Sequence, residues 1–257
     1  MICNIVDLGL IEYQRAWNLQ DEYAAEIADG KRPPTLLLLE HPHVYTLGRK
    51  GQLENLLFNE KQLKEKSIAI HWVDRGGDVT YHGPGQLVGY PLIPLKPIAP
   101  LPSPAPDGKG DGSTDYMGYL RRLEKMLIQA LVRLGVAAGQ RPGLTGVWVQ
   151  ANVWSRCPRC LSKDREKPAK IAAIGVKVDV RGIARHGFAL NVNPDMSYWE
   201  GIIACGLQDE TVVSLSDLLM PVPAMDEVKK AVVQAFGDVF GFEMEKTKPS
   251  ESLVRSD

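Results

Sequence analysis

Arg75, Asp78, Thr80, Tyr81, His82 and Gln86 put a cation, an acid, two hydroxyls, an imidazole and an amide into one short stretch, Arg75-Gly76-Gly77-Asp78-Val79-Thr80-Tyr81-His82-Gly83-Pro84-Gly85-Gln86-Leu87. Its four glycines and one proline would by themselves mark a plain turn cluster. Glycine, however, lets a backbone approach a ligand closely, and functional side chains set between glycines are what the floor of a binding site needs. Farther along, Lys170 opens Lys170-Ile171-Ala172-Ala173-Ile174-Gly175, and His186-Gly187-Phe188-Ala189-Leu190-Asn191 is a glycine turn into an apolar run. Cys205 ends another apolar run, Ile203-Ala204-Cys205-Gly206-Leu207. A thiol attacks as its thiolate, and a nearby ammonium favours that form. A lysine and a cysteine in one site would suit nucleophilic acyl chemistry, but nothing in the sequence alone brings Lys170 to Cys205.

The elements that must position these groups read as follows. Residues 2–8 form a strand, and residues 11–27 an amphipathic helix with Tyr13, Trp17, Leu19, Tyr23, Ala24 and Ile27 at helical spacing. Thr35 to Glu40 is a nearly all-apolar run, the pattern of a strand covered on both faces. Residues 71–74 and 87–95 are strands entering and leaving the glycine-rich stretch. Residues 116–134 form the clearest helix, stopped by Gly135. Residues 146–154 alternate as a strand, with 171–180 as partner; 187–192 is a further strand and 225–240 a closing helix. Residues 96–114 hold five prolines among glycines and charges, the composition of a surface insert rather than core. Residues 245–257 read as a charged, frayed tail. This order of elements, without regular strand–helix alternation, predicts an α+β (mixed α/β) fold around one main mixed sheet packed by helices.

The chain has 257 residues, 44% apolar and 24% charged, with a net charge of −1. That gives no global electrostatic case for nucleic acid. No apolar run reaches the length of a membrane span. The first residues lack the pattern of a signal or transit peptide, and four cysteines without an export signal suit a reducing compartment, so a cytoplasmic location is expected.

Together the glycine-rich signature, the Lys-Ile-Ala-Ala-Ile-Gly run, the His186 turn and the Cys205 run resemble the lipoyl(octanoyl) transferase family. The resemblance covers most of the chain, from His41-Pro42 and Thr46-Leu47-Gly48 through Gly146-Val147-Trp148-Val149 to Thr211-Val212-Val213-Ser214-Leu215. It implies an acyltransferase of lipoate biosynthesis, without cofactor or metal. An octanoyl group arrives as a thioester on acyl carrier protein, moves to an enzyme cysteine, and passes to the side-chain amine of a lysine. That lysine belongs to the lipoyl domain of a 2-oxoacid dehydrogenase or to the glycine-cleavage H protein. By the match, Cys205 is the nucleophile and Lys170 the residue that lowers its pKa. Arg75, Gly76, Gly77, Asp78, Val79, Thr80, Tyr81 and His82, then Ala173, Ile174 and Gly175, then Gly187, Phe188 and Ala189, match the acyl-substrate-binding stretches. The implied fold is that of the biotin and lipoate protein ligase catalytic domain. It would span residues 1–243, with inserts at 96–114 and 155–169 and a flexible tail over 244–257. One departure is Ala204, where the family usually has a proline before the nucleophile.

Each residue also has a plainer reading. Cys205 alone would be an inert buried thiol, and Lys170 alone a solvated strand-end lysine; the surrounding motifs reverse both. His82 and His186 could be satisfied structural histidines. Arg75 and Asp78 could pair with each other and fix the loop. His41-Pro42-His43 looks like half a metal site but has no thiol partner nearby, and is read as structural or supporting. Cys157-Pro158-Arg159-Cys160 is a single CxxC, short of the four ligands zinc wants, and reads as two idle thiols. Asp209 and Glu210 read as solvated charges. Two other functions remain at this point: an ATP-dependent lipoate–protein ligase of the same fold, and a non-catalytic scaffold that binds carrier proteins.

Overall fold

The computed structural model describes residues 1–95, 115–151, 167–204 and 210–248. The proline-rich insert, the Cys157/Cys160 pair and Cys205 itself lie outside the described residues. The strand predicted at residues 35–40 is covered on both faces, and this organises the molecule. In β2 (Thr35–Glu40), Leu36 and Leu38 enter one core while Leu37 and Leu39 enter another, as the period-two geometry of a strand requires. The first core is closed by α3 (Tyr116–Arg133) and α4 (Met225–Phe240), the second by α1 (Tyr13–Ala28).

The main sheet has eight strands. Besides β2 they are β1 (Ile2–Leu10), β6 (Gln86–Leu92), β7 (Val147–Val149), β8 (Ala169–Val178), β9 (Ala184–Asn191), β10 (Thr211–Val212) and β11 (Glu243–Lys246). Their order is β10-β8-β9-β6-β2-β1-β11, with β7 also on β8. Pairing of β1 with β2 and β11, and of β10 with β8, is parallel; β2–β6, β6–β9, β8–β9 and β7–β8 are antiparallel. The sheet is therefore mixed, and the pairing of β7 with β8 is the one the sequence suggested. A second sheet, order β4-β3-β5, joins β3 (Val44–Leu47), β4 (Ala69–Trp72) and β5 (Val79–His82). It packs Tyr45, Leu47, Val79 and Tyr81 into a core of its own.

The helices follow their apolar stripes. α1 buries Tyr13, Ala16, Leu19, Gln20, Tyr23, Ala24 and Ile27. Asp115 caps α3 by accepting the Gly118 N–H at 2.7 Å, and Gly135, at φ 81°, follows its end. No helix among the described residues is long and apolar enough to cross a membrane. At the C-terminal end the structure differs from expectation. Residues 245 and 246, read as part of a frayed tail, belong to β11 and pair with Asn4 and Ile5 of β1. The backbone of an edge strand is satisfied by its neighbour whatever its side chains are, so Glu243-Met244-Glu245-Lys246 gave no apolar alternation to read.

Candidate active site

A cavity of about 700 Å³ lies between the two sheets. Residues 75–80 and His82 form one wall, residues 173–175 of β8 and 187–189 of β9 another, and Lys170 also lines it. Tyr81 does not; the alternation of β5 sends it to the small core, where its hydroxyl meets His43 Nδ1 at 3.0 Å. Tyr13, Tyr90 and His186 add aromatic surface to the lining. Both flanking sheets take part, because Val79 to His82 belong to one and Lys170 to the other.

The loop before β5 is fixed by two separate sets of bonds rather than held only by an Arg75–Asp78 pair. The Arg75 guanidinium donates to Thr46 O at 2.7 Å, Thr46 Oγ1 at 2.8 Å and Gly76 O at 3.0 Å. Asp78 accepts from Val79 N at 2.7 Å, Gln52 N at 3.2 Å and Asn55 Nδ2 at 2.5 Å. Thr46, Gln52 and Asn55 carry no signal in the sequence that would tie them to residues 75–78; β3–β5 pairing brings them there.

His82 is buried, and its tautomer follows from its neighbours. Gln86 Nε2 donates to Tyr81 O at 3.1 Å and Asn191 Oδ1 at 2.9 Å, so Gln86 Oε1 must accept, and His82 Nδ1–H donates to it at 2.8 Å. Burial holds the His82 pKa well below the ordinary imidazole range, and the neighbouring His41 lowers it further. His186, in left-handed backbone at φ 56°, donates from Nε2 to Asp74 Oδ1 at 2.7 Å. Asp74 also receives Lys177 and, at 2.9 Å, Arg185. The hydrogen bond from His186, reinforced by that from Lys177, lowers its carboxyl to about 2. His41, half of the candidate metal motif, is buried and spends both ring nitrogens: Nδ1 donates to Ile11 O and Nε2 accepts from the Tyr90 hydroxyl, each at 2.8 Å. No cluster of potential metal ligands occurs among the described residues.

Lys170 lines the cavity from the start of β8. β7 and β10 both pair with the start of β8, with Trp148 and Val212 as register partners of Lys170. Trp148 thus lies under the ammonium, its ring centroid 4.9 Å from Nζ. Glu210, two residues before Val212, forms a salt bridge with Lys170 Nζ. It was expected to be a solvated charge. Its side chain is instead 2% exposed, beside a Lys170 side chain 4% exposed. Trp148 Nε1–H donates to Glu210 Oε1 at 3.3 Å, and Arg141 stands 3.8 Å from the same oxygen. Forty residues separate the partners and only a parallel two-residue pairing joins them, so local pattern could not have shown it.

Glycines 175 and 187 work differently. A Cβ on Gly175 would meet Arg75 Cδ at 3.0 Å and Gly76 O at 3.2 Å, so its bareness brings β8 up to the glycine-rich loop. A Cβ on Gly187 would lie 2.1 Å from Gly89 O. Gly187 permits strand contact, and it also lines the cavity.

Residues 12–237 match the model of the lipoyl protein ligase A/B catalytic domain. An octanoyltransferase of Cytophaga hutchinsonii is 37% identical over 256 residues, covering 95% of this chain and 94% of its own. One of Solibacter usitatus is 42% identical over 242 residues, covering 94% of each. Among solved structures, a bipartite lipoate protein ligase from Thermoplasma acidophilum, described with its E2 lipoyl domain, aligns over 99% of this chain and 91% of its own. Its TM-score is 0.68 at 17% identity. A lipoate-protein ligase A bound with ATP aligns over 99% and 93%, with a TM-score of 0.66 at 16% identity. At such identities these structures establish the shared fold.

Proposed function

The chain belongs to the family of lipoyl protein ligase A/B catalytic domains, and from that premise we propose that it is an acyltransferase moving an octanoyl group to a lysine amine. The donor is octanoyl-acyl carrier protein, the acceptor a lipoyl domain, and the carrier of the group between them a thioester on Cys205. The observation that supports this most is the cavity of about 700 Å³ that gathers the glycine-rich stretch, the β8 and β9 stretches and Lys170 around one space. Its size falls in the range of small-molecule pockets, roughly 300–1,000 Å³. The role of Cys205 rests on the family pattern. Cys3 is a poor alternative: burial pushes its thiol up to about 12.

In the first step the Cys205 thiolate attacks the thioester carbonyl. A C–S bond to Cys205 forms, the C–S bond to the carrier breaks, and the departing carrier thiolate takes a proton from the Lys170 ammonium. One thioester replaces another, so no nucleotide is required. In the second step a neutral lysine amine attacks the acyl-cysteine. The amide C–N bond forms, the C–S bond breaks, and the proton lost by the amine returns to Lys170, restoring thiolate and ammonium. His82 is the other possible acceptor of that proton, but its depressed basicity makes it the weaker one.

Mixing the protein with octanoyl-acyl carrier protein should add one octanoyl group, measured by intact mass and mapped to Cys205. Cys205→Ser should lower the loading rate by at least about 100-fold, since a hydroxyl offers almost no anion at neutral pH. Absence of any adduct together with ATP-dependent attachment of free octanoate would replace this reading with that of a ligase.

A further inference from the structure

Glu210 forms a buried salt bridge with Lys170. Its carboxylate and the Lys170 ammonium are almost wholly removed from water, and breaking so buried a pair is costly. The ammonium rests over the Trp148 ring, and the carboxylate is oriented by Trp148 Nε1–H. Ala204 and Glu210, the described residues on either side of the Cys205 segment, both line a second cavity of about 390 Å³, whereas Lys170 lines the first. We propose that Glu210 is a positioning residue for acyl transfer: its buried carboxylate holds the Lys170 side chain in place over Trp148, so that Lys170 serves Cys205 from a fixed position. This rests on the roles given above to Cys205 and Lys170. It follows the general logic of an activated nucleophile, in which the group that activates is itself oriented by a third.

The proposal has a sign that a spectator anion would not give. Among the described residues, the charged and titratable groups facing Glu210 are Lys170 of β8, Arg141 from the segment before β7, and Glu200 across the second cavity. A carboxylate acting only on Cys205 would oppose the thiolate, and its removal would move thiol reactivity to lower pH. If Glu210 acts through Lys170, its removal lets the lysine side chain leave its place, the thiolate loses its cation, and reactivity moves to higher pH.

The test is the pH profile of Cys205 alkylation, read by peptide mass, in wild type, Glu210→Gln, Glu210→Asp, Lys170→Ala and the Lys170→Ala/Glu210→Gln double variant. Glu210→Gln keeps the shape and an acceptor for Trp148, and should raise the midpoint by about one pH unit. Glu210→Asp keeps the charge and should stay within a few tenths of wild type, which remains measurable should the Gln variant fold poorly. Adding Glu210→Gln to Lys170→Ala should produce no further rise. A Gln profile that stays put or falls, an Asp profile displaced as far as the Lys170→Ala one, or a Gln shift that persists without Lys170 would overturn the proposal. Octanoyl loading of wild type is measured alongside. Missing adduct with the coupled shifts intact would defeat the acyl-transfer reading and still support the Lys170–Glu210 couple.

Discussion

One lysine nitrogen has to be a cation in one half of the proposed cycle and a proton acceptor in the other, and the residues that make this possible act by fixed contact rather than by abundance of charge. Lys170 is bracketed by two strands and pinned between an indole and a carboxylate. The bare Cα of Gly175, in β8 five residues after Lys170, sits against Arg75. Gly175→Ala would require Arg75 Cδ and Gly76 O, at 3.0 and 3.2 Å from the new methyl, to give by a few tenths of an ångström. We expect a folded protein whose single-turnover octanoyl loading is slower by about 10-fold, because small displacements of positioning groups are costly. A thermal midpoint lowered by more than about 5 °C would mean that the glycine serves the fold rather than the site. At this scale the sequence singled out Lys170, residues 75–80 and His82 by their own chemistry, and the structure brings them to one cavity. The sequence read Glu210 as a solvated charge and gave no sign that Thr46 meets Arg75, because both contacts arise only through strand pairing.

The strands themselves set the second limit. β6 and β9 approach so closely that neither tolerates a side chain at one position each: a Cβ on Gly89 would enter the Phe188 ring at 2.1 Å, and one on Gly187 would strike Gly89 O at the same distance and Pro91 Cδ at 2.6 Å. The obstacle to a larger residue at 187 is backbone, which cannot rotate away. Gly187→Ala should therefore separate the strands and destabilise the protein by roughly 3 kcal/mol or more, measured as a lower urea midpoint. An unchanged midpoint with slower acyl transfer would instead assign Gly187 to ligand approach. Long elements with a strong period were legible beforehand: residues 225–240 are the helix expected there, and α3 differs from expectation by one residue at its end. Short ones were not. β3 and β5, four residues each, have every residue buried and so lack the alternation that marks a half-exposed strand, and β5 was hidden inside a stretch that glycines made look like loop. α2 (Glu60–Glu65) has no buried residue and hence no stripe to read, although Asn59 and Gln62 close a reciprocal cap at its start.

For the molecule as a whole, the buried imidazoles at the back of the cavity predict how stability responds to acid. His41, His82 and His186 are all buried, and in each burial, the largest influence, lowers the pKa; for His41 the value is about 4. In the unfolded chain each would titrate near its ordinary value of about 6.5. Below that pH the unfolded state binds more protons than the folded one, so stability rises with pH across the interval and is lost as pH falls from 6.5 towards 4. His41 alone should account for roughly 2 kcal/mol between pH 6.5 and pH 5, with His82 and His186 adding loss in the same direction. Asp74 does not share this window. Its carboxyl, lowered to about 2 chiefly by the His186 hydrogen bond, gives stability that is present above the ordinary carboxylate pKa of about 3.9 and lost only below it. Melting the protein at a series of pH values should therefore show a plateau above pH 7 and a fall through pH 6 to 5, well before carboxylates titrate. His41→Gln offers an amide donor to Ile11 O and an acceptor to the Tyr90 hydroxyl but cannot take up a proton; it should flatten that fall by the share belonging to His41. If the variant and the wild type lose stability in parallel over this range, the buried imidazole at position 41 is not what makes the fold sensitive to acid.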